Sequence, residues 1–301
     1  MIIRIISGVV GIIIAAIIIQ LGGAVFAAFA AILSLIGWYE FAKAMSKKGI
    51  ESTFVLGALT LIIMFCCAWL GNIEELLAVV TIGTLTIFLT TVLLHGSIRP
   101  IDACASIAGV LYIGLPFVHL ILLRFLDDDK IDTPLNSVTN MINGGLPAVS
   151  MEVGNAANEL MSFNFDVGSA LIWILFICTW SSDTFAYFVG TAIGSHKLAS
   201  SISPNKTVEG FIGGLIGTTA MAVVVGTFLF SFPMIEMAVL GFLMAIVATL
   251  GDLVESVLKR FAGIKDSGML LPSHGGMLDR FDSIFYTAPV FYYYVIIVGI
   301  I

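Results

Sequence analysis

Charge is what this chain has least of. Only 11% of its 301 residues are Asp, Glu, Lys or Arg, less than half of the ~25% usual in soluble domains. Basic residues are the scarcer sign, 13 against 20 acidic, for a net charge of −7. That balance argues against a nucleic-acid partner, since phosphate backbones need a basic surface. Cysteine is rare too. Cys66, Cys67, Cys104 and Cys178 all lie inside apolar runs and none has CxxC spacing, so neither a zinc site nor a disulfide framework is indicated. They read as small apolar packing residues. The chain lacks GxxxxGK[ST], HExxH and GxGxxG, the sequences of P-loop, zincin and dinucleotide sites. It has no solenoid-type repeat. What remains is apolar: 59% hydrophobic residues and a mean hydropathy of +1.10. This is the composition of an all-α polytopic membrane protein.

A helix crosses the ~30 Å hydrocarbon core in about 20 residues. Apolar runs predict about nine transmembrane helices, near 3–20, 22–42, 53–71, 76–94, 103–124, 168–190, 208–230, 234–257 and 282–301. Arg4 and the run after it read as a first span rather than a removed signal. The first two spans are close enough to form a tight hairpin at Gly22–Gly23. Gly210, Gly213, Gly214 and Gly217 share the spacing that lets helices approach closely in lipid, so that face is expected to be a helix contact.

If the spans alternate, eleven basic residues fall on one side (Arg4, Lys43, Lys47, Lys48, Arg99, Lys197, Lys206, Lys259, Arg260, Lys265 and Arg280). Only Arg124 and Lys130 fall on the other. The positive-inside rule then puts the N-terminus in the cytoplasm and the C-terminus outside. Two regions follow: 1–167, with about five spans and a long acidic outer loop at 125–167, and 168–301, with about four spans. A short helix is expected near 152–161. Asp128, Asp129 and Asp132 form a DDxxD pattern there, but it lies on the outer side, has no acidic partner repeat and reads as loop.

Residues 252–282 hold ten ionisable groups in 31 positions: Asp252, Glu255, Lys259, Arg260, Lys265, Asp266, His274, Asp279, Arg280 and Asp282. A carboxylate at the end of an apolar run is costly in lipid and marks a functional site. Asp252, Glu255, Ser256 and Lys259 fall on one helical face. Gly275–Gly276, beside His274, can bring backbone N–H groups against an anion. Asp279 and Asp282 are three apart, and such a pair repels unless a cation or an arginine lies between. Mg²⁺ suits a few carboxylates plus phosphate oxygens and water, and Arg280 offers a phosphate fork. Upstream, Asp183 lies within a span. Ser203-Pro204-Asn205-Lys206-Thr207 is expected to open the next helix, where an N-terminus favours anions and Lys206 would meet phosphate.

The run Ser256-x-x-Lys259-Arg260-x4-Lys265-Asp266-x-Gly268-x2-Leu271-Pro272-x-His274-Gly275-Gly276-Met277-x-Asp279-Arg280-Phe281-Asp282 resembles the signature of the CDP-diacylglycerol synthases, or phosphatidate cytidylyltransferases. Every signature position is filled. Ser203-Pro204-Asn205-Lys206-Thr207-x-Glu209-Gly210 and Ser182-Asp183-x-x-Ala186-Tyr187 are similar to two further blocks of that family. The likeness is strong from about 170 to 301 and is one of hydrophobic layout before that. It implies transfer of a cytidylyl group from CTP to phosphatidic acid, giving CDP-diacylglycerol and pyrophosphate. It also implies Mg²⁺ dependence with room for a second cation, a site at the cytoplasmic face of the cell (inner) membrane, and a homodimer.

Carried over by position, the metal carboxylates are Asp252 and Asp279, with Asp282 and Asp183 as candidates for a third ligand. The catalytic set is Lys206, Lys259, Arg280 and Asp282. Substrate binding falls to Ser203, Asn205, Lys206, Ser256, Lys259, Arg260, Lys265, Asp266, His274, Gly275, Gly276 and Arg280. Two other classes compete with this reading. An ion-coupled transporter would suit intramembrane Asp183 and Asp252, but such proteins usually show inverted repeats and none is visible. A CDP-alcohol phosphotransferase needs a DGxxAR-type pattern that is absent.

Overall fold

A computed structural model describes residues 2–126, 166–268 and 275–298, with side chains from residue 10 onward. The expected short helix near 152–161, the DDxxD pattern, His274 and residues 299–301 lie outside the described residues. The helices are α1 (Ile2–Leu21), α2 (Gly23–Ser46), α3 (Phe54–Trp69), α4 (Ile73–Leu93), α5 (Pro100–Arg124) and α6 (Val167–Ile193). After a hairpin of β1 (Lys197–Ala199) and β2 (Ser203–Thr207) come α7 (Val208–Val223) and a π-helical continuation at Val224–Leu229. Then follow α8 (Met234–Ala262), the single turn α9 (Leu278–Phe281) and α10 (Ile284–Val298). Seven segments are long and apolar enough to cross a membrane; α9 and α10 count as one of them. With α1 and the 16-residue α3, the described residues match the nine expected spans one for one.

α5 is the hub. It packs on α2, α3, α4, α6 and α10, and Ile113, Phe117 and Ile121 on it are fully buried. Ion pairs fasten it at both ends. At its N-terminus Asp102 accepts from Arg99 and from Glu51 N–H at 2.9 Å, and Ser106 Oγ accepts from Thr53 N–H at 2.8 Å. This holds the α2–α3 link against α5. At its C-terminus Arg124 is 3% exposed. It donates to the Ile19 carbonyl at 3.0 Å and pairs with Asp166 at 2.9 Å. The α1–α2 turn closes on this arginine. Gly22 and Gly23 both have positive φ, and a Cβ on Gly22 would collide with Arg124 Nη2. Only glycine fits there, and the chain passes from α1 to α2 through this one residue.

The glycine stripe of α7 is a helix contact. Gly213 faces Val189 and Gly217 faces Phe185 of α6, so closely that a Cβ at either glycine would collide with that side chain. On another face Gly241 of α8 meets Thr218, Thr219 and Ala222 of α7. Small residues thus bring α6, α7 and α8 together as a close triplet. Without a hydrophobic drive between helices in lipid, such close approach supplies the packing energy.

Candidate active site

α8 has 29 residues and is therefore about 44 Å long, against a hydrocarbon core of ~30 Å. Its apolar part fills that depth by about Leu253. Asp252 to Arg260 fall at or past the boundary, where charge is tolerated. The polar side of α8 then divides. Asp252 Oδ2 lies 2.5 Å from Lys206 Nζ, each side chain about a quarter exposed, and Ser256 Oγ is a longer 3.4 Å from Asp252 Oδ1. One turn around, Glu255 is 2% exposed and ion-paired to Lys259 at 2.5 Å. Lys259 reaches on to Asp279 Oδ1 at 2.8 Å.

Lys206 is delivered by a strand, not by a helix start. The expected opening of the span at Ser203-Pro204 is corrected: residues 203–207 are β2, antiparallel to β1, and α7 begins at Val208. The true cap is Thr207, whose side chain accepts from Gly210 N–H at 3.2 Å. Pro204 occupies a two-stranded edge, which tolerates a missing donor. Glu209 fastens the hairpin base, accepting from Ser195 N–H at 3.0 Å and contacting His196 Nδ1 at 2.6 Å. Gly210 fits against the Ala186 carbonyl of α6. So the 203–210 block consists of a lysine presented on a hairpin, a cap, a staple and a close contact.

Asp279 and Asp282 part company. α9 ends between them, and they face different partners. Asp279 Oδ2 accepts from Ser267 N–H (2.8 Å), Ser267 Oγ (2.9 Å) and Gly276 N–H (2.8 Å). With Lys259 on Oδ1, this carboxylate has four donors. Gly275 beside it has φ +88°, a conformation costly for other residues. Asp282 accepts from its neighbour Ser283 N–H. It lies within electrostatic reach of Asp252, Asp183 and Lys259. Asp183 on α6 is likewise in reach of Asp252 and Lys206.

Asp183 of α6 and Asp282 of the α9–α10 turn are thus each within electrostatic reach of Asp252 on α8. Among the described residues, only Asp252 of the three has an ion pair within 4 Å. Lys206 serves Asp252 and Asp183, while the cation in reach of Asp282 is Lys259, already paired to Glu255 and Asp279, so negative charge is in excess and suits a divalent cation. Among the described residues, no three or more His, Cys, Asp or Glu side chains lie close enough together to hold a metal ion on their own. Mg²⁺ is commonly bound by one or two carboxylates, completed by water and phosphate.

The remaining expected residues differ in exposure. Asn205, Arg260, Lys265, Asp266 and Arg280 are at least partly exposed, Ser203 is half-buried, and Gly276 is buried under the loop. Sequence reading overlooked Glu40 of α2. It is 4% exposed and accepts from Met277 N–H (3.0 Å), Leu278 N–H (3.0 Å) and Ser267 Oγ (3.1 Å). A lone carboxylate in the apolar run 22–42 was the available signal, by the rule that singled out Asp183. Tyr112 of α5 was also overlooked. It sits beside Glu255 and Lys259 around a small cavity, and its hydroxyl has no hydrogen-bond partner among the described residues.

Residues 2–298 match the family model described as "Cytidylyltransferase family". The chain is 34% identical over 300 residues to a "Phosphatidate cytidylyltransferase" of Synechocystis sp., covering 98% of this chain and 96% of that protein. It is 30% identical over 295 residues to one of Staphylococcus haemolyticus, covering 96% of each. A stretch of 126 residues is 44% identical to one of Bacillus subtilis, covering 41% of this chain and 47% of that protein. A match across nearly the whole chain, joined to three sequence blocks that converge on one charged site, places this protein in the cytidylyltransferase family.

Proposed function

We propose that this membrane protein transfers the cytidylyl group of CTP to phosphatidic acid, forming CDP-diacylglycerol and pyrophosphate. The observation that carries this reading is the convergence of Lys206, Lys259, Asp183, Asp252 and Asp282 at one end of an apolar helix bundle. A lipid phosphate and a water-soluble nucleotide can meet only at such a boundary.

The residue inventory suits the chemistry. A phosphate monoester has a second pKa of about 6, so the lipid phosphate is already an anionic nucleophile near pH 7. No general base is needed. One phosphatidate oxygen forms a bond to the α-phosphorus of CTP, and the α–β bridging bond breaks to release pyrophosphate. The obstacle is bringing two polyanions together, which cations and in-line placement relieve. Lys206 on its hairpin and Arg280 of α9 bind and orient phosphates. Lys259, held between Glu255 and Asp279, keeps the α8 face and the 275–282 turn in register and adds positive charge. One or two of Asp183, Asp252 and Asp282 would hold Mg²⁺ together with water and substrate phosphate, and the ion when bound would neutralise phosphate charge on the transferring group.

The preponderance of basic residues at the site end supports a cytoplasmic placement of that end. A homodimer belongs to the same reading. Purified protein in detergent, given radiolabelled CTP and phosphatidic acid, should move label into the organic phase. Label that stays in the aqueous phase under all Mg²⁺ conditions would refute the proposal.

A further inference from the structure

We infer that Glu40, in the N-terminal half of the chain, is a positioning residue for the reaction: it sets where the 275–282 turn presents Asp279, Arg280 and Asp282. The inference rests on the transfer proposed above. Glu40 is a buried carboxylate on a membrane-spanning helix, with no ion pair among the described residues. Such a group is costly unless its oxygens are hydrogen-bonded. Its hydrogen-bond partners are Ser267, Met277 and Leu278, between 227 and 238 residues away in sequence. Oε1 takes Met277 N–H; Oε2 takes Leu278 N–H and Ser267 Oγ. The carboxylate therefore ties together two stretches of the signature segment, Ser267–Gly268 and Gly276–Leu278.

Two signature glycines leave the space it occupies. A Cβ on Gly268 would collide with Glu40 Oε1, and one on Gly276 would fall 2.5 Å from Oε2. Ser267 links Glu40 to the site. Its single hydroxyl proton is shared between Glu40, 3.1 Å from Oγ, and Asp279, 2.9 Å from Oγ, while its N–H goes to Asp279. Displacing the Glu40 carboxylate frees the amides of Met277 and Leu278, and the next residues are Asp279 and Arg280. Glu40 touches none of the proposed phosphate contacts itself, so it acts through the turn.

The test compares full-length wild type with Glu40→Gln, the same size with the charge removed. One amide NH₂ then faces a backbone N–H donor. The folded, monodisperse fraction in detergent is assayed for CDP-lipid turnover, and backbone hydrogen exchange is followed by peptide. The expected result is an about 10- to 100-fold fall in kcat, the loss of one hydrogen bond to a charged group. Exchange should speed up in peptides covering 275–282, with α5 and α6 unchanged. Should Glu40→Gln fail to fold, Gly268→Ala, whose Cβ would collide with Glu40 Oε1, displaces the same carboxylate and carries the same expectation. Faster exchange with unchanged turnover overturns the inference, as does lost turnover with unchanged exchange. Faster exchange everywhere makes Glu40 a fold determinant and overturns it too. If wild type itself makes no CDP-lipid, the proposed function fails first, while the exchange comparison still reports whether Glu40 holds the turn.

Discussion

Replacing Asp279 with Asn separates an anchoring role from a metal-binding one. Asn has nearly the same shape, and its carbonyl oxygen can take the place of Oδ2, keeping the donors Ser267 N–H, Ser267 Oγ and Gly276 N–H. Its NH₂ then points at Lys259 Nζ, which stands 2.8 Å away from Oδ1 in the native protein. Two donors face each other, and Lys259 keeps only Glu255. The lost interaction is a hydrogen bond between charged groups, about 1.5–3 kcal/mol. At about 1.4 kcal/mol per tenfold, this is roughly a 10- to 150-fold loss of turnover if the register of α9 against α8 matters to the reaction. The assay is transfer of label from CTP into CDP-lipid, with thermal unfolding in detergent as the control for folding. Wild-type turnover in Asp279→Asn would refute the claim that the Lys259–Asp279 contact orders the site. A loss beyond about a thousandfold in folded protein, more than this hydrogen bond can supply, would refute the anchoring account in favour of direct metal ligation by Asp279.

Lys206→Met should cut turnover about a hundredfold or more yet shift the unfolding temperature little, because a partly exposed ion pair contributes about 0–1 kcal/mol; a large thermal shift would contradict that separation. Gly217→Leu should destabilise the protein by about 1–3 kcal/mol through overpacking, since even a Cβ there would collide with Phe185; unchanged unfolding would contradict the close α6–α7 contact. Arg124→Ala leaves the buried Ile19 carbonyl and the half-exposed Asp166 without their partner and should lower stability by about 1–3 kcal/mol. Its surviving folded fraction should turn over normally, because Arg124 sits at the opposite end of the bundle. Chelation of divalent cations should stop turnover, and Mg²⁺ should restore it; full activity in chelator would exclude the role assigned to Asp183, Asp252 and Asp282.

The apolar runs by themselves determined the number of spans and, within a few residues, where each lies. A helix in lipid must satisfy its backbone internally, so length and hydropathy leave little choice. They also exposed the charged residues that such an environment tolerates only for a reason, hence Asp183, Asp252 and the 252–282 cluster. What pattern could not give was partnership. Ser203–Thr207 reads as a helix start by its Ser-Pro pair, yet its strand pairing with 197–199 and the Glu209 staple prevail over that local preference. Asp279 and Asp282 look like one pair by spacing, but a helix break sends one to Lys259 and Ser267 and the other towards Asp252. Glu40 lies 227 residues or more from the groups it holds, and no local periodicity encodes a contact at that separation. Hydrophobic burial in a bilayer is a property of each segment alone, whereas a buried carboxylate is defined by the donors that three-dimensional packing brings to it.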